Sequence, residues 1–389
     1  PAPSGAPLPS DPVFEALLTD GTTTTGRIGQ LGPEDRVILV NQEQGERAIP
    51  FGQLVKLVRE GEPPRSPPEG TMVLFPEGDR LRGMIGTSNE TVLEVTPQVA
   101  GEAPVSIPLD SLLGLVLTPP SEPDAIQALL DRIREEKRDS DVLWMTNGDR
   151  RTGTLLELTA AKVKFQGEAG PIEPDRSAVA AIGLDPKGVS YPCPEGNFLE
   201  LTLMDGSRIG VSACRVERGQ VVAKARCGAM LPLGLGDLAR VHVRGESIQY
   251  LSERDDGVAV YEPYLGPSRP FRRDRSVEGH PLRLAGQPYD RGLGTQSRTL
   301  LAYRLDGRAR RFQALIGLDD RAGPLGSVVF RIKVDGKEAF VSPPMTVHDA
   351  PRPVDVDVSG AKLLILMTEF GERGEVRDFA DWAEARLVR

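Results

Sequence analysis

Leu18-Thr-Asp-Gly21, with a second glycine at Gly26, has three counterparts further along the chain. Each counterpart joins an apolar segment to a tight turn that ends in glycine, and then to a second segment that carries another glycine. Asp-Gly and Asn-Gly supply the positive φ angles that tight hairpin turns require. The second glycine fits a sharply bent strand, in which a side chain would collide with the neighbouring backbone. The counterparts are Phe75-Pro-Glu-Gly78 with Gly83, Met145-Thr-Asn-Gly148 with Gly153, and Leu203-Met-Asp-Gly206 with Gly210.

The segments downstream of these hairpins also match one another. A third apolar strand follows, then a short strand that runs into a proline, as in Ile49-Pro50 and Ile107-Pro108, and then a final apolar strand. Five short strands in each copy predict a small, strongly curved β-barrel, and the pattern resembles the SH3-like and Sm-like barrels. We therefore predict four barrel repeats, at residues 13–61, 70–118, 141–186 and 197–251.

One convincing helix interrupts the repeats, at residues 121–138. Its apolar positions fall on one face, while basic residues gather at its C-terminal end, where they suit the helix dipole. We interpret it as a linking helix that packs between barrels. The apolar positions are Ala125, Ile126, Leu129, Leu130 and Ile133.

Composition narrows the possible functions. The chain has 389 residues, 39% hydrophobic and 26% charged, with a net charge of -9. A negative field repels phosphate backbones, so we expect no nucleic-acid partner. No apolar run reaches the length of a membrane-spanning helix. Arginines cluster at 269–275 and 308–311, and we interpret both clusters as solvated strand faces.

The first residues of the chain and its cysteines bear on the cellular location of the protein. The Pro-Ala-Pro-Ser-Gly-Ala-Pro opening is typical of a mature exported protein after removal of its signal peptide, although a trimmed chain would look the same. We therefore expect an extracytoplasmic location: periplasmic, cell-surface or secreted. Cys193, Cys214 and Cys227 allow one disulfide, in which Cys193 pairs with Cys214 or Cys227.

The last third of the chain changes to longer strands. Val328, Phe330, Ile332 and Val334 alternate on one face, and Asp335-Gly336 makes the next hairpin turn. We predict an antiparallel β-sandwich at residues 258–389. The full fold prediction is thus all-β: tandem small SH3-like or Sm-like β-barrels, one linking helix, and a β-sandwich.

Seven motifs of this region occur in the order found in the NPCBM family, the novel putative carbohydrate-binding module, which the chain resembles over about residues 270–389. The resemblance implies a jelly-roll-type sandwich that recognises galactose-type sugars, sometimes with structural calcium. The motifs are Asp290-Arg-Gly-Leu-Gly294, Leu301-Ala-Tyr-Arg-Leu305, the run from Phe312 to Asp320, Gly326-Ser-Val-Val-Phe330, Val334-Asp-Gly336, the run from Val356 to Ala361, and Asp378-Phe-Ala-Asp-Trp-Ala383.

Candidate sugar-binding residues follow from the resemblance and from the chemistry of sugar sites. Gln296 occupies a position where family members often carry histidine, and its amide can still donate and accept hydrogen bonds. Trp382, beside Asp378 and Asp381, could offer an aromatic face with neighbouring carboxylates. The alternative is that Trp382 fills the core while the two acids hold loops.

Asp319 and Asp320 end a predicted strand and are the candidate metal ligands. Their carboxylate oxygens suit calcium, and turn capping is the equal alternative. No other cofactor is expected.

The sequence lacks the signatures of common enzyme sites. The three histidines are far apart, and there is no phosphate-binding loop and no Gly-x-Ser-x-Gly motif. We therefore predict a protein that is not an enzyme and that binds a glycan or cell-surface polysaccharide through the sandwich. The alternative is an assembly protein of the cell envelope, which would form a homo-oligomer or bind envelope proteins through strand edges.

Overall fold

The same five-stranded unit occurs four times in the N-terminal part of the structure. The structure, a computed structural model, describes residues 11–41, 43, 45–61, 70–99, 101, 103–217, 219–263, 269–372 and 374–389. In each unit the first four strands form an antiparallel meander, and the fifth strand returns to pair with the first. A 3-10 turn precedes the fifth strand each time. We call these units repeats 1 to 4.

The strands of the repeats have the following bounds. Repeat 1 has β1 (Val13–Leu18), β2 (Thr23–Leu31), β3 (Arg36–Asn41), β4 (Gly45–Pro50) and β5 (Leu54–Arg59), and repeat 2 has β6 (Met72–Leu74), β7 (Arg80–Ser88), β8 (Val92–Pro97), β9 (Val105–Pro108) and β10 (Gly114–Val116). Repeat 3 has β11 (Asp141–Met145), β12 (Arg150–Leu158), β13 (Val163–Gly167), β14 (Gly170–Ile172) and β15 (Val179–Gly183), and repeat 4 has β16 (Asn197–Leu203), β17 (Arg208–Glu217), β18 (Gln220–Ala225), β19 (Met230–Gly234) and β20 (Leu238–Gly245).

The repeats join through their fifth strands. Strand β5 pairs antiparallel with β20, and β10 pairs antiparallel with β15, so that repeat 1 is coupled to repeat 4 and repeat 2 to repeat 3. The ladder therefore continues from one repeat into the next. All four repeats lie within one unit, residues 1–245.

An ion pair and hydrogen bonds connect repeat 2 to repeat 4 and to the segment just before it. The Arg226 guanidinium binds both carboxylate oxygens of Glu77, at 2.8 and 2.9 Å. Asp79 accepts hydrogen bonds from the Tyr191 hydroxyl at 2.6 Å and from the Gly210 amide at 2.7 Å. Because Arg226 and Asp79 are almost fully buried, losing one partner would leave a desolvated charge.

Helix α1 (Pro123–Glu135) is the only α-helix in the part of the chain that the structure describes. Its Ile126, Leu130 and Ile133 pack against strands of repeats 2 and 3. Just beyond the helix, the buried Arg138 donates to the carbonyl oxygens of Ile133 and Leu184, at 2.7 and 2.6 Å. The helix is shorter than the predicted 121–138 because the chain leaves helical geometry at Glu136.

A second unit, residues 246–389, is a β-sandwich. One sheet has the order β23-β26-β33-β28-β31, with β21 also paired to β33, and the other has the order β22-β27-β32-β29-β30. A hairpin of β24 and β25 stands apart from both sheets. The strands are β21 (Ile248–Tyr250), β22 (Val258–Tyr261), β23 (Arg272–Arg273), β24 (Leu282–Leu284), β25 (Gln287–Tyr289), β26 (Gly292–Gln296), β27 (Thr299–Arg304), β28 (Arg311–Leu318), β29 (Val328–Val334), β30 (Lys337–Val341), β31 (Arg352–Asp357), β32 (Leu363–Phe370) and β33 (Phe379–Val388).

The all-β prediction with one linking helix is confirmed, whereas the assignment of the repeats to the SH3-like or Sm-like class stays a prediction. Two predicted boundaries were wrong. Ile248–Tyr250 was assigned to repeat 4 but pairs with β33, because Ile248 and Tyr250 bury their side chains in the sandwich unit. The sandwich therefore begins at 246 and not at 258. The predicted disulfide was also wrong, since all three cysteines are free.

Candidate functional site

The candidate site lies where β26 ends and β33 begins. Gln296, the last residue of β26, is in register with Phe379, the first residue of β33. Tyr261 ends β22 in the opposite sheet. The site therefore sits at one end of the sandwich, where loops rather than strands can meet a ligand.

Gln296 presents an oxygen that lacks a partner. Its side-chain Nε2 donates to the main-chain oxygen of Glu375 at 3.4 Å, which fixes the amide orientation, because a carbonyl oxygen can only accept. The opposite atom, Oε1, is buried and accepts no hydrogen bond from any residue that the structure describes, although Gln296 is only 7% exposed. A buried acceptor in this condition costs free energy unless a ligand or water supplies a donor.

The Tyr261 phenol is a second buried polar group without a hydrogen-bond partner among the described residues. Its hydroxyl is buried and makes no hydrogen bond within the described ranges of the chain. Burial raises the pKa of Tyr261; the Glu375 carboxylate raises it further, and the Arg269 guanidinium opposes the change. The phenol therefore stays protonated, lies within electrostatic range of both charges, and is able to donate or accept.

Two arginines flank the Phe379 ring. The guanidinium carbon of Arg269 lies 5.3 Å from the ring centroid, and that of Arg377 lies 5.4 Å from it. Both distances fall within cation–π range. Phe379 itself is only 4% exposed, so it supports the arginines and offers little surface for stacking.

Asp378 is buried and acts inside the domain. Its carboxylate accepts hydrogen bonds from the Ser297 hydroxyl and, at 2.9 Å, from the Ser327 amide. Burial raises the pKa of Asp378 to about 6. The prediction of direct sugar binding was wrong for this residue, because a carboxylate without exposed surface cannot contact a ligand; instead it joins two loops.

Trp382 fills the core between the two sheets. Its ring packs edge-on against Phe330, with centroids 5.0 Å apart, and its Nε1 donates to the Thr368 hydroxyl at 3.1 Å. No part of Trp382 is exposed. The prediction of a sugar-stacking face was therefore wrong, and the core alternative describes the residue.

Asp381 lies on the neighbouring position of β33 and is equally buried. Both of its carboxylate oxygens lack a hydrogen-bond donor among the described residues. Burial raises the pKa of Asp381 well above its usual value, and the nearby Asp319 carboxylate raises it further. Asp381 is therefore paired with Asp319 beneath the surface, and its predicted contact with a sugar was wrong.

Comparison with known proteins identifies the sandwich. Residues 258–388 match the NPCBM/NEW2 domain family. This part of the chain is an NPCBM/NEW2 domain. The match covers the sandwich strands from β22 onward and leaves the repeats of residues 1–245 outside it.

The chain is similar to a curated protein and to several solved structures. The curated protein, from Renibacterium salmoninarum, is named an endo-alpha-N-acetylgalactosaminidase and is 31% identical over 111 residues, which are 28% of this chain and 7% of the relative. This chain therefore spans a small fraction of that relative.

Two of the solved structures come from Clostridium perfringens. The CBM51 module of GH95, in complex with methyl-galactose, is 25% identical and is matched over 36% of this chain and 100% of its own, with a TM-score of 0.34. The second CBM51 module of ZmpB with its INT domains, in complex with GlcNAc, is 21% identical over 46% of this chain and 40% of its own, also with a TM-score of 0.34.

The predicted metal ligands, Asp319 and Asp320, both accept hydrogen bonds from the β24–β25 hairpin. Asp320 accepts a hydrogen bond from the Gly286 amide at 3.0 Å and lies 3.5 Å from the Arg283 Nε, so it stabilises the β24–β25 hairpin. No group of three or more His, Cys, Asp and Glu side chains in the described ranges is arranged for a metal ion. The oxygens of Asp381 that lack donors among the described residues are hard ligands, and the Asp319 carboxylate lies close enough to act on them electrostatically.

Sequence reasoning missed three residues of the site: Tyr261, Arg269 and Phe379. Tyr261 precedes the family motifs and carries no pattern of its own. Arg269 belongs to the arginine cluster that was interpreted as a solvated face. Phe379 lies inside the Asp378-Phe-Ala-Asp-Trp-Ala383 motif, where the tryptophan gave the stronger aromatic signal.

Proposed function

We propose that the NPCBM/NEW2 domain binds a glycan at the Gln296 end of the sandwich. The observation that carries this proposal is the buried Oε1 of Gln296, which no described residue satisfies. A sugar hydroxyl can donate to this oxygen. A second hydroxyl can bind the Tyr261 phenol, whose hydroxyl also has no partner in the described ranges. Galactose-type sugars, with several adjacent hydroxyls, are the proposed class.

We further propose that the protein binds glycans without hydrolysing them and is not an enzyme. Glycoside hydrolysis needs two carboxyl groups that flank a bound sugar. In the sandwich unit Asp319, Asp378 and Asp381 are each at most 1% exposed, so none of these acids can reach a glycosidic bond. The name of the Renibacterium salmoninarum relative describes a protein of which this chain matches only 7%.

The four repeats support the binding domain in this proposal. Their continuous strand pairing and the ion pair between Arg226 and Glu77 couple the repeats to one another, which suits a stalk. We further propose an extracytoplasmic location, where cell-surface polysaccharides are available. No helix in the described ranges has the length and apolarity that crossing a bilayer would require.

Assembly in the cell envelope is the second candidate function, and one edge strand favours it. In β22 Val258 and Val260 are 62% and 44% exposed, and β27 is the only pairing partner of this strand among the described residues. Exposed edge strands can accept a strand from a partner. A protein that self-associates but binds no glycan would favour assembly over sugar recognition.

A structural calcium ion is proposed for Asp319 and Asp381. An ion there would neutralise two buried carboxylates and tie the end of β28 to β33. A ligand present at about 100 times its Kd stabilises a fold by about 2.7 kcal/mol, so saturating calcium should raise the Tm of the sandwich by several degrees. Asp381→Asn should abolish this rise. If EDTA and calcium leave the wild-type Tm unchanged in differential scanning calorimetry, the calcium proposal fails.

A glycan array with matched variants tests the proposed function. Gln296→Leu removes the acceptor and should reduce binding at least about tenfold, since a hydrogen bond lost from a sugar-recognising site leaves its partner unpaired. Gln287→Leu, at the exposed first position of β25, is the control and should bind as the wild type does. Equal binding by wild type and Gln296→Leu would place the site elsewhere.

A further inference from the structure

We infer that the glycan carries an anionic substituent, and that Arg269 and Arg377 recognise it. This inference rests on the proposed function and specifies the class of sugar. Its basis is the placement of two exposed guanidinium groups beside the buried acceptor of Gln296.

Arg377 is held in place without an acidic partner. Its Nε donates to the main-chain oxygen of Ala322 at 2.8 Å, and its Nη2 donates to the main-chain oxygen of Arg321. No carboxylate of a described residue lies within ion-pair distance of it. The side chain is exposed, so a fixed positive charge faces solvent. A guanidinium positioned in this way can bind an anion with little further loss of side-chain entropy.

Arg269 is only loosely paired. Its Nη1 lies 3.6 Å from the nearest Glu278 carboxylate oxygen, and the two side chains are 40% and 33% exposed. Exposed pairs at such distances contribute little and exchange readily for a better partner. Arg269 is therefore available to a ligand.

The two guanidinium groups share one support. Both lie against the ring of Phe379, the residue in register with Gln296 on the neighbouring strand, so two positive charges lie at the same end of the sandwich as the oxygen that needs a donor. A neutral sugar would satisfy Gln296 and Tyr261 but would leave Arg377 without an ion-pair partner among the described residues and Arg269 with only its loose pair to Glu278. A carboxylate or sulfate would compensate them through charge-assisted, bidentate hydrogen bonds.

Isothermal titration of the full chain with three probes tests the inference. Galactose, galacturonate and galactose 6-sulfate differ only at carbon 6, and the last two separate a carboxylate from a sulfate as the anionic group. We expect at least one anionic probe to bind about tenfold more tightly than galactose at low salt. Added salt should reduce this preference.

Matched variants assign the preference to its residues. Arg269→Gln and Arg377→Gln should each lower the ratio of anionic to neutral affinity severalfold, and having two variants keeps the test valid if one fails to fold. Arg352→Gln is the control, because Arg352 is also exposed and lies 5.3 Å from the Phe340 ring centroid, away from Gln296. It should retain the wild-type ratio.

The outcomes separate this inference from the proposed function. If galactose and both anionic probes bind equally, the anionic class is wrong while sugar binding stands. If both variants keep the preference, the assignment of the anionic group to Arg269 and Arg377 is wrong. If no probe binds and the glycan array is also blank, both fail.

Discussion

One step along the backbone separates a ligand-facing residue from a structural one at the end of β26. Gln296 keeps a carbonyl oxygen without a donor from the described residues, whereas the next side chain, Ser297, donates to the buried Asp378. A buried acceptor left unpaired costs stability, so a fold that retains one gains from a ligand that supplies the donor. Asp378 holds the loop that carries Ser297, and thereby positions Gln296 indirectly.

Asp378 makes the stability of the sandwich depend on pH. Its pKa is about 6 in the fold, against about 3.9 for an unfolded aspartate. Because the folded pKa is raised, the contribution of this group is fully present below pH 4 and is lost as pH rises through 6. The stability of the wild type relative to Asp378→Asn should therefore decrease between pH 4 and pH 6, and then stay level. Thermal unfolding of the wild type and of Asp378→Asn between pH 4 and pH 6 measures this difference in stability. A difference that increases with pH would contradict the raised pKa of Asp378.

The burial of single residues was the hardest feature to predict. Trp382 and Asp381 are neighbours in sequence, and an indole beside a carboxylate suits a sugar site as well as a core. Their burial results from the central place of β33, which pairs with β21, β26 and β28. The sequence of this strand contains the charged residues Asp381, Glu384 and Arg386, whereas a central strand is usually apolar. Its central position was therefore not predictable from the sequence.

At the scale of the element, glycine controls the bend of each second strand. A Cβ on Gly83 would lie 2.2 Å from the Thr96 oxygen, and one on Gly153 would lie 2.0 Å from the Gln166 oxygen. The register of β7 and of β12 shifts shortly after these glycines, where the strand bends. The close approach was predictable from the spacing of the two glycines in each repeat, since the hairpin turns are local in sequence. The pairing of fifth strands between repeats was not predictable, because it joins residues that are far apart.

Gly153→Ala should therefore destabilise the N-terminal unit. The added methyl group meets backbone that cannot move aside, and such overpacking costs about 1–3 kcal/mol. Gly188→Ala is the control, because a Cβ there would meet no heavy atom within 4 Å. Urea unfolding should show a lower midpoint for the first variant and not for the second. Equal midpoints would mean that β12 adjusts to a side chain.

At the scale of the whole molecule, the chain divides at residue 245 and not where the family match begins. Ile248, Tyr250 and Leu251 are at most 1% exposed and belong to the sandwich unit. The prediction from sequence assigned these residues to repeat 4, because a short apolar strand after β20 is compatible with either unit. Only its pairing with β33 decides between them.

Two truncated chains test this boundary. A chain that begins at residue 258 loses three buried apolar side chains, each worth about 1.5–3 kcal/mol, and exposes one edge of β33. It should unfold at a clearly lower temperature than a chain that begins at residue 246. Circular dichroism melts of both compare them directly. Equal Tm values would show that β21 contributes nothing to the sandwich.

Transverse-relaxation-optimised NMR of the full chain, titrated with the sugar found on the glycan array, tests the central claim most directly. If the Gln296 end binds the glycan, amide shifts should concentrate at residues 294–298 and 374–379. Gln296→Leu should remove these shifts, while Trp382→Phe, a conservative change in the core, should keep them. Shifts that concentrate on the repeats, or on residues 258–260 of β22, would contradict the claim.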